Sequence, residues 1–142
     1  MHSNPYAPAD HLQAELIHDL AKAIDGQYSA ILCYGQLARL APTEAIREQI
    51  LEIRSDEIRH FQAFMRIYIC LTGHSIRPQV TEPCPDTYDA GLHFAFRDEQ
   101  KTVDFYLEIA EKTHDPYIKS IFRRAAADEQ NHAVWFLYFL NH

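Results

Sequence analysis

Glycine and clusters of β-branched residues, which sheets and their turns need, are scarce in this chain. Only four glycines occur in 142 residues, so strand signals are nearly absent. The three cysteines, Cys33, Cys70 and Cys84, form no Cys-x-x-Cys pair, which excludes a zinc ribbon or a four-cysteine iron site. Cys33 and Cys70 fall in apolar helical stretches, and we interpret them as small core residues in a reducing cytoplasm.

Long apolar runs and basic runs are also missing. The longest apolar run, residues 133–140, is far short of the ~20 residues that a membrane-spanning helix requires. Residues 1–9 are polar and interrupted by proline, so we expect a flexible arm without a signal peptide on a cytoplasmic protein. The net charge of −7, without a lysine or arginine run, predicts that neither nucleic acid nor a membrane is a partner.

Helical periodicity, in contrast, covers four long segments. We predict an all-α fold of one domain over residues 10–142, with helices at residues 10–40, 43–72, 87–113 and 116–140. Asp10, Thr43 and Asp115 are expected to cap helix starts, and Gly73 is expected to end the second helix.

The connection between the second and third predicted helices decides the topology. Residues 73–86 include three prolines, so this segment cannot be helical throughout. Its fourteen residues can span about 45 Å, which is also about the length of the second helix. We therefore predict a four-helix bundle whose long crossover loop makes the second and third helices parallel.

An internal repeat relates the two halves of the chain. Adding 72 to a position in the first half gives its counterpart in the second, and the pairs are Gln27 and Glu99, Tyr34 and Tyr106, Asp56 and Asp128, Glu57 and Glu129, and His60 and His132. A Glu-x-x-His pair on a helix places a carboxylate and an imidazole one turn apart on one face, where both can bind the same ion. The repeat supplies this pair once per half.

Two further Glu-x-x-His pairs begin at Glu15 and Glu111. With ten glutamates and nine histidines, chance alone predicts roughly 0.6 such pairs, so position has to separate ligands from coincidences. Glu15 and Glu111 each lie about 18 Å along their helix from position 27 or 99, which is too far to share an ion. We interpret both as surface residues near helix ends.

The repeated residues predict a dinuclear metal site at mid-height of the bundle. Two ions about 3.5–4 Å apart need bridging carboxylates, and we assign that role to Glu57 and Glu129. His60 and His132 each supply a nitrogen, and Glu99 is the terminal carboxylate on the His132 side. Carboxylate and imidazole ligands together suit iron or manganese. The alternative, a buried ion-pair network without metal, would be costly.

These residues carry a resemblance to a known family. From residue 10 onward the chain resembles the ferritin-like superfamily on its rubrerythrin side, in particular its small uncharacterised members. The matching pattern is Gln27-x2-Ala30-Ile31-x2-Tyr34, Glu57-x2-His60, Glu99-x6-Tyr106 and Glu129-x2-His132. The resemblance implies two divalent metal ions, iron with manganese or zinc as alternatives. It also implies an oxidoreductase of the ferroxidase or peroxidase type, acting on oxygen or peroxide.

The chain departs from the family pattern at three points. Gln27 stands where the family has a metal-binding glutamate, so the ion beside His60 should bind more weakly. Thr102 replaces a further carboxylate, and the family's electron-delivering rubredoxin domain is missing. These departures leave a second hypothesis open, in which the bundle is a structural or interaction protein that holds one metal or none.

Two predictions concern the surroundings of the site and the last helix. Tyr34 and Tyr106 lie seven residues after positions 27 and 99, where they either donate hydrogen bonds to the carboxylates or serve as ordinary core residues. Residues 133–140 are apolar nearly all round and need cover from the crossover loop or from a second subunit. Of the two, we favour a homodimer.

Overall fold

The computed structural model describes residues 7–142, with side chains from residue 11. Its helices are α1 (Ala7–Leu40), α2 (Glu44–Thr72), α3 (Tyr88–Lys112) and α4 (Pro116–Leu140), and none of the described residues forms a strand. The predicted all-α fold is therefore confirmed. Of the predicted flexible arm, residues 1–6 lie outside the described part. Asp10 lies inside the first turn of α1 and does not cap it, because the helix already begins at Ala7.

The other helix ends follow their local sequence. The side chain of Thr43 accepts a hydrogen bond from the backbone N–H of Ile46 at 3.2 Å, so α2 begins at the residue after it. Gly73 ends α2 with φ of 84°, a left-handed conformation that glycine adopts without a Cβ penalty. Asp115 caps α4 just before Pro116. The caps predicted at these three positions are confirmed.

The crossover segment, residues 73–87, runs lengthwise along α1. The backbone N–H of Gln79 donates to Asp25 Oδ1 at 2.9 Å, and that of Thr81 donates to Ser29 Oγ at 3.0 Å. Successive contacts thus move toward the C-terminal end of α1, where α3 must begin. The third helix is consequently antiparallel to α1 and parallel to α2, as the length of the loop predicts.

A disulfide joins the same segment to α1, between Cys33 and Cys84. Cys33 lies in the core as predicted, but the expectation that it is reduced is wrong. Asp25, Ser29 and Cys33 are spaced four residues apart on one face of α1, so the segment brings Cys84 opposite Cys33. Cys70 is the only free cysteine in the described chain, and it is exposed on α2, outside the core.

Two apolar clusters fill the bundle, one toward each end. The first includes Phe64, Tyr106 and Phe122, with the Phe64 and Phe122 rings stacked at 4.5 Å between centroids. The second includes Leu37 and Phe136. Helix α1 packs most closely against α2, and α3 against α4, while contacts of α1 with α3 and of α2 with α4 complete the bundle. Over residues 7–142 no helix combines the length and apolarity needed to span a bilayer.

Candidate metal centre

A polar layer separates the two apolar clusters at mid-height. It holds the side chains predicted as ligands, all of them at most 8% exposed: Gln27, Glu57, His60, Glu99, Glu129 and His132. Each helix contributes to it, because each half of the repeat supplies one residue from its first helix and a Glu-x-x-His pair from its second. The fold thus gathers positions that lie as much as 105 residues apart in the sequence.

Four of these side chains converge most tightly. One ligand atom each from Glu57, Glu99, Glu129 and His132 lies within 4.8 Å of all the others. The Nδ1 atom of His132 is 3.6 Å from Glu99 Oε2 and 3.7 Å from both Glu57 Oε1 and Glu129 Oε2. A ring nitrogen surrounded by three carboxylates at these distances leaves room for a cation among them.

His60 approaches the same carboxylates from α2. Its Nδ1 atom lies 2.9 Å from Glu129 Oε1 and 3.2 Å from Glu57 Oε1. Both histidines therefore direct Nδ1 toward the two glutamates predicted as bridges. The structure brings all five charged or imidazole positions together around one centre.

Two aspartates that the ligand prediction did not include orient these histidines. Nε2 of His60 lies 2.8 Å from Asp128 Oδ2, and Nε2 of His132 lies 2.7 Å from Asp56 Oδ2. A carboxylate acceptor holds a proton on Nε2, so that loss of the other ring proton leaves the lone pair of Nδ1 facing the centre. The signal was in the sequence, because Asp56 and Asp128 are themselves a pair of the 72-residue repeat.

The two tyrosines complete a cross-connection between the halves. Tyr34 donates its hydroxyl proton to Glu99 Oε1 at 2.5 Å, while the hydroxyl of Tyr106 accepts from Gln27 Nε2 at 2.5 Å. Each tyrosine thus contacts the first-helix ligand position of the opposite half. Tyr34 thus makes the predicted hydrogen bond to a carboxylate, whereas Tyr106 accepts a hydrogen bond from an amide instead.

Gln27 has a distinct pattern of contacts. Its Nε2 also donates to Glu129 Oε1 at 3.1 Å, so both amide protons are used within the centre. Its Oε1 atom has no hydrogen-bond partner among the described residues, although the side chain is only 2% exposed. A neutral amide oxygen is an available, if weaker, ligand for a hard cation.

Burial and crowding set the protonation of the centre. Burial raises the pKa of Glu57 and of Glu99 well above the usual range, and the neighbouring Glu129 charge adds to both shifts. Burial alone would also raise the pKa of Glu129, but the contacts of this carboxyl with Glu99 and the two histidines hold the pKa well below its usual value. Burial lowers the pKa of His132, yet Glu129 and Glu99 outweigh it and raise that pKa to about 9. His132 therefore retains a proton at neutral pH that a bound cation would displace.

Unpaired buried atoms show whether this donor set fits a metal. Among residues 11–142, the buried side-chain polar atoms without a hydrogen-bond partner are Gln27 Oε1, Glu99 Oε2, His132 Nδ1 and the hydroxyl of Tyr88. Leaving such an atom unsatisfied costs about 1–3 kcal/mol. Three of the four belong to predicted ligands and are of the kind that coordinates a cation, so the donor set fits a metal.

The two coincidental Glu-x-x-His pairs lie away from this centre. Glu15 is paired with Lys112 Nζ at 2.7 Å, and the ammonium group lowers the pKa of its carboxyl. Glu111 is exposed on the last turns of α3. Both occupy the surface positions predicted for them.

Comparison with known proteins agrees with the fold and the site. The rubrerythrin family model matches residues 91–142, which include Glu99, Glu129 and His132. An uncharacterised protein of Bacillus subtilis, YhjR, is 54% identical over 136 residues, which is 96% of this chain and 94% of that protein. A hypothetical protein from Pyrococcus furiosus shares the fold, with a TM-score of 0.75 at 21% identity over 89% of this chain and 88% of its own.

The four-helix bundle with its central carboxylate and histidine layer defines a ferritin-like protein. Within that class, the chain belongs to the same family as its Bacillus subtilis relative, and its residues 91–142 match the rubrerythrin family model. The resemblance carried by the repeated motifs is thereby confirmed.

Proposed function

We propose that residues 10–142 form one ferritin-like domain that binds two divalent metal ions in the polar layer. Glu57 and Glu129 would bridge the ions, His132 and Glu99 would complete one position, and His60 and Gln27 the other. The observation that carries the proposal is the trio of unpaired buried atoms, Gln27 Oε1, Glu99 Oε2 and His132 Nδ1, at the predicted ligand positions. Iron is the proposed metal, with manganese or zinc as alternatives, because oxygen and imidazole ligands suit these ions.

With iron bound, the centre would supply the electrons that reduce oxygen or peroxide, which is a ferroxidase or peroxide-reducing activity. The protein's own contribution is positional. Asp56 and Asp128 hold the two imidazoles with Nδ1 inward, and Tyr34 holds Glu99 through a 2.5 Å hydrogen bond. The apolar clusters on either side exclude water from the layer along the bundle axis.

A second candidate function is a structural or interaction bundle with one metal or none. The observation that favours it concerns the half of the layer formed by Gln27 and His60. There, Gln27 Nε2 and His60 Nδ1 already bond to Glu129 Oε1. That half needs no cation to pair its polar hydrogens. The two candidates differ in how many ions bind.

Elemental analysis of protein purified without chelators separates them. About two metals per chain would support the dinuclear proposal, about one would support the single-ion bundle, and none after anaerobic loading with ferrous iron would contradict both metal-bound forms. The matched control is the same measurement on Glu15→Ala, which changes a Glu-x-x-His pair outside the centre and should leave the count unchanged.

Assembly and location are further proposals. Val134, Leu137 and Tyr138 are 45–61% exposed along one stripe of α4, and the crossover segment lies on α1 instead. A second subunit in a homodimer is the cover that we propose for this stripe. A cytoplasmic location stays a prediction, and the Cys33–Cys84 disulfide is of a kind that persists mainly in oxidising compartments.

A further inference from the structure

A cavity of about 340 Å³ opens between α1 and α3 and reaches the polar layer. Its inner end is formed by Gln27, Glu57 and Glu129, three of the residues assigned to the metals above. A molecule that fills it would therefore contact the centre directly. The inference drawn from this cavity rests on the proposed function.

Small residues on α1 create the space. Gly26 and Ala30 lie one turn apart on the cavity wall, facing Thr102 and Phe105 of α3. A Cβ added to Gly26 would meet no atom within 4 Å, so the wall at this point is open. The cavity exists because these positions lack the side chains that would fill it.

The crossover segment forms part of the cavity wall and is fixed in place. Thr81 and Glu82 line the cavity, and Thr81 is bonded through its backbone to Ser29 of α1. Three residues further along the segment, the Cys33–Cys84 disulfide attaches it to the same helix. A wall held by covalent and hydrogen bonds gives a preformed cavity, as ligand sites generally have.

Size and lining indicate what the cavity takes. A single water occupies about 30 Å³ of liquid, so hydrogen peroxide needs only a fraction of this volume, whereas about 300 Å³ is the lower range of sites for organic molecules. Ala23 and the Phe105 ring supply apolar wall. Charges of both signs lie around it, with Lys22 and Lys101 against Glu82 and Asp98, so the lining favours an uncharged ligand.

We propose that this cavity admits an organic hydroperoxide, with its O–O group at Gln27, Glu57 and Glu129 and its organic group along Ala23 and Phe105. In the reaction, the O–O bond of ROOH breaks and two ferrous ions give up one electron each. Two protons complete the products, ROH and water. The cavity thus extends the proposed peroxide chemistry from hydrogen peroxide to substrates that carry an organic group.

The test narrows the cavity without touching a proposed ligand. Gly26→Leu and Ala30→Leu place bulk in the cavity, and Ala14→Leu makes the same kind of change on the exposed face of α1 as the matched control. Oxidation of ferrous-loaded protein is followed by stopped flow with hydrogen peroxide and with cumene hydroperoxide. Both narrowed variants should lose at least about tenfold in rate with cumene hydroperoxide while staying within about twofold of wild type with hydrogen peroxide.

A second readout needs no metal. Cumyl alcohol, which has the same organic group and no peroxide bond, should shift the amide resonances of Ala23 and Phe105 in metal-free wild type and in Ala14→Leu. It should not shift them in Gly26→Leu, whose fold is checked by circular dichroism.

Different failures have different meanings. Oxidation by hydrogen peroxide without any by cumene hydroperoxide in wild type would overturn the cavity proposal and leave the metal proposal standing. An unchanged ratio of the two rates in both narrowed variants would also overturn it. Failure to react with either peroxide would overturn the cavity proposal and the proposed peroxide-reducing activity, while the ion count and the reaction with oxygen test the rest of the proposed function.

Discussion

The two halves of the repeat surround the same centre with the same tyrosine and histidine but with different first-helix residues. In one half the tyrosine hydroxyl donates to a carboxylate, Glu99. In the other it accepts from an amide, Gln27. The direction of this hydrogen bond is reversed because an amide nitrogen donates where a carboxylate oxygen accepts.

This reversal changes what each half offers a cation. Glu99 keeps Oε2 unpaired beside His132 Nδ1, so a charged ligand and an imidazole face the same point. Gln27 instead ties its nitrogen to Tyr106 and Glu129, and only a neutral oxygen remains. Equal folds can therefore hold unequal sites, and the charge at one position decides the difference.

The largest expected effect comes from removing a group that both halves share. Glu129→Ala should abolish binding of both ions, because Glu129 contacts His60, Gln27 and the carboxylate cluster together. Metal content of the purified variant measures this, with Glu15→Ala as the control. Two ions retained by Glu129→Ala would show that it is no bridge.

Replacing Glu99 with glutamine, which removes the only carboxylate at the first-helix position of either half, is expected to have the next largest effect. Glu99→Gln gives both halves an amide and removes the charge beside His132, so ferrous affinity should fall about tenfold or more. Gln27→Ala should cost less, because it removes only a neutral ligand. Anaerobic ferrous titrations measure both, and a greater loss in Gln27→Ala would reverse the assigned order of the two halves.

Each of the two aspartates should affect the binding of a different ion. Asp56→Ala releases His132 and should weaken the ion on the Glu99 side, while Asp128→Ala releases His60 and should weaken the other, each by about 10–100-fold. Competition against a chelator reports both affinities. Asp104→Ala, at an exposed position of α3, is the control. Equal metal affinities in all three variants would show that Asp56 and Asp128 do not support the ligands.

The smallest effect concerns the tyrosines. Tyr34→Phe leaves Glu99 Oε1 without its hydrogen bond and should lower the free energy of unfolding of metal-free protein by about 1–3 kcal/mol. Tyr106→Phe should cost less, since Gln27 keeps its bond to Glu129. Urea denaturation compares the two, and a larger loss in Tyr106→Phe would contradict the asymmetry of the hydrogen bonds.

Much of this centre could be predicted from the sequence because the repeat identifies equivalent positions. It predicts that Glu57, Glu129 and the two histidines lie at one level of the bundle. It could not say which residue lies across from which, and so the bonds from Tyr34 to Glu99 and from Asp56 to His132 came only from the packing of the helices. Asp56 and Asp128 are recognisable in the sequence as a repeated pair. The Glu-x-x-His motif does not include them, so it gives no reason to assign them to the site.

The Cys33–Cys84 disulfide could not be predicted from the sequence. Its formation depends on the register of a non-helical segment along α1, which hydrogen bonds such as those from Gln79 and Thr81 set. Sequence spacing alone carries no information on such a register. The same holds for the cavity, whose walls come from α1, α3 and the crossover segment at once.

The most direct test of the paired but unequal centre is an anaerobic ferrous titration of wild type beside Gln27→Glu. We predict two binding steps in wild type, with the second weaker by about tenfold or more. In Gln27→Glu we predict two nearly equal steps, because the substitution restores the missing carboxylate. Superimposable titrations of the two proteins, or a single step in both, would contradict this prediction.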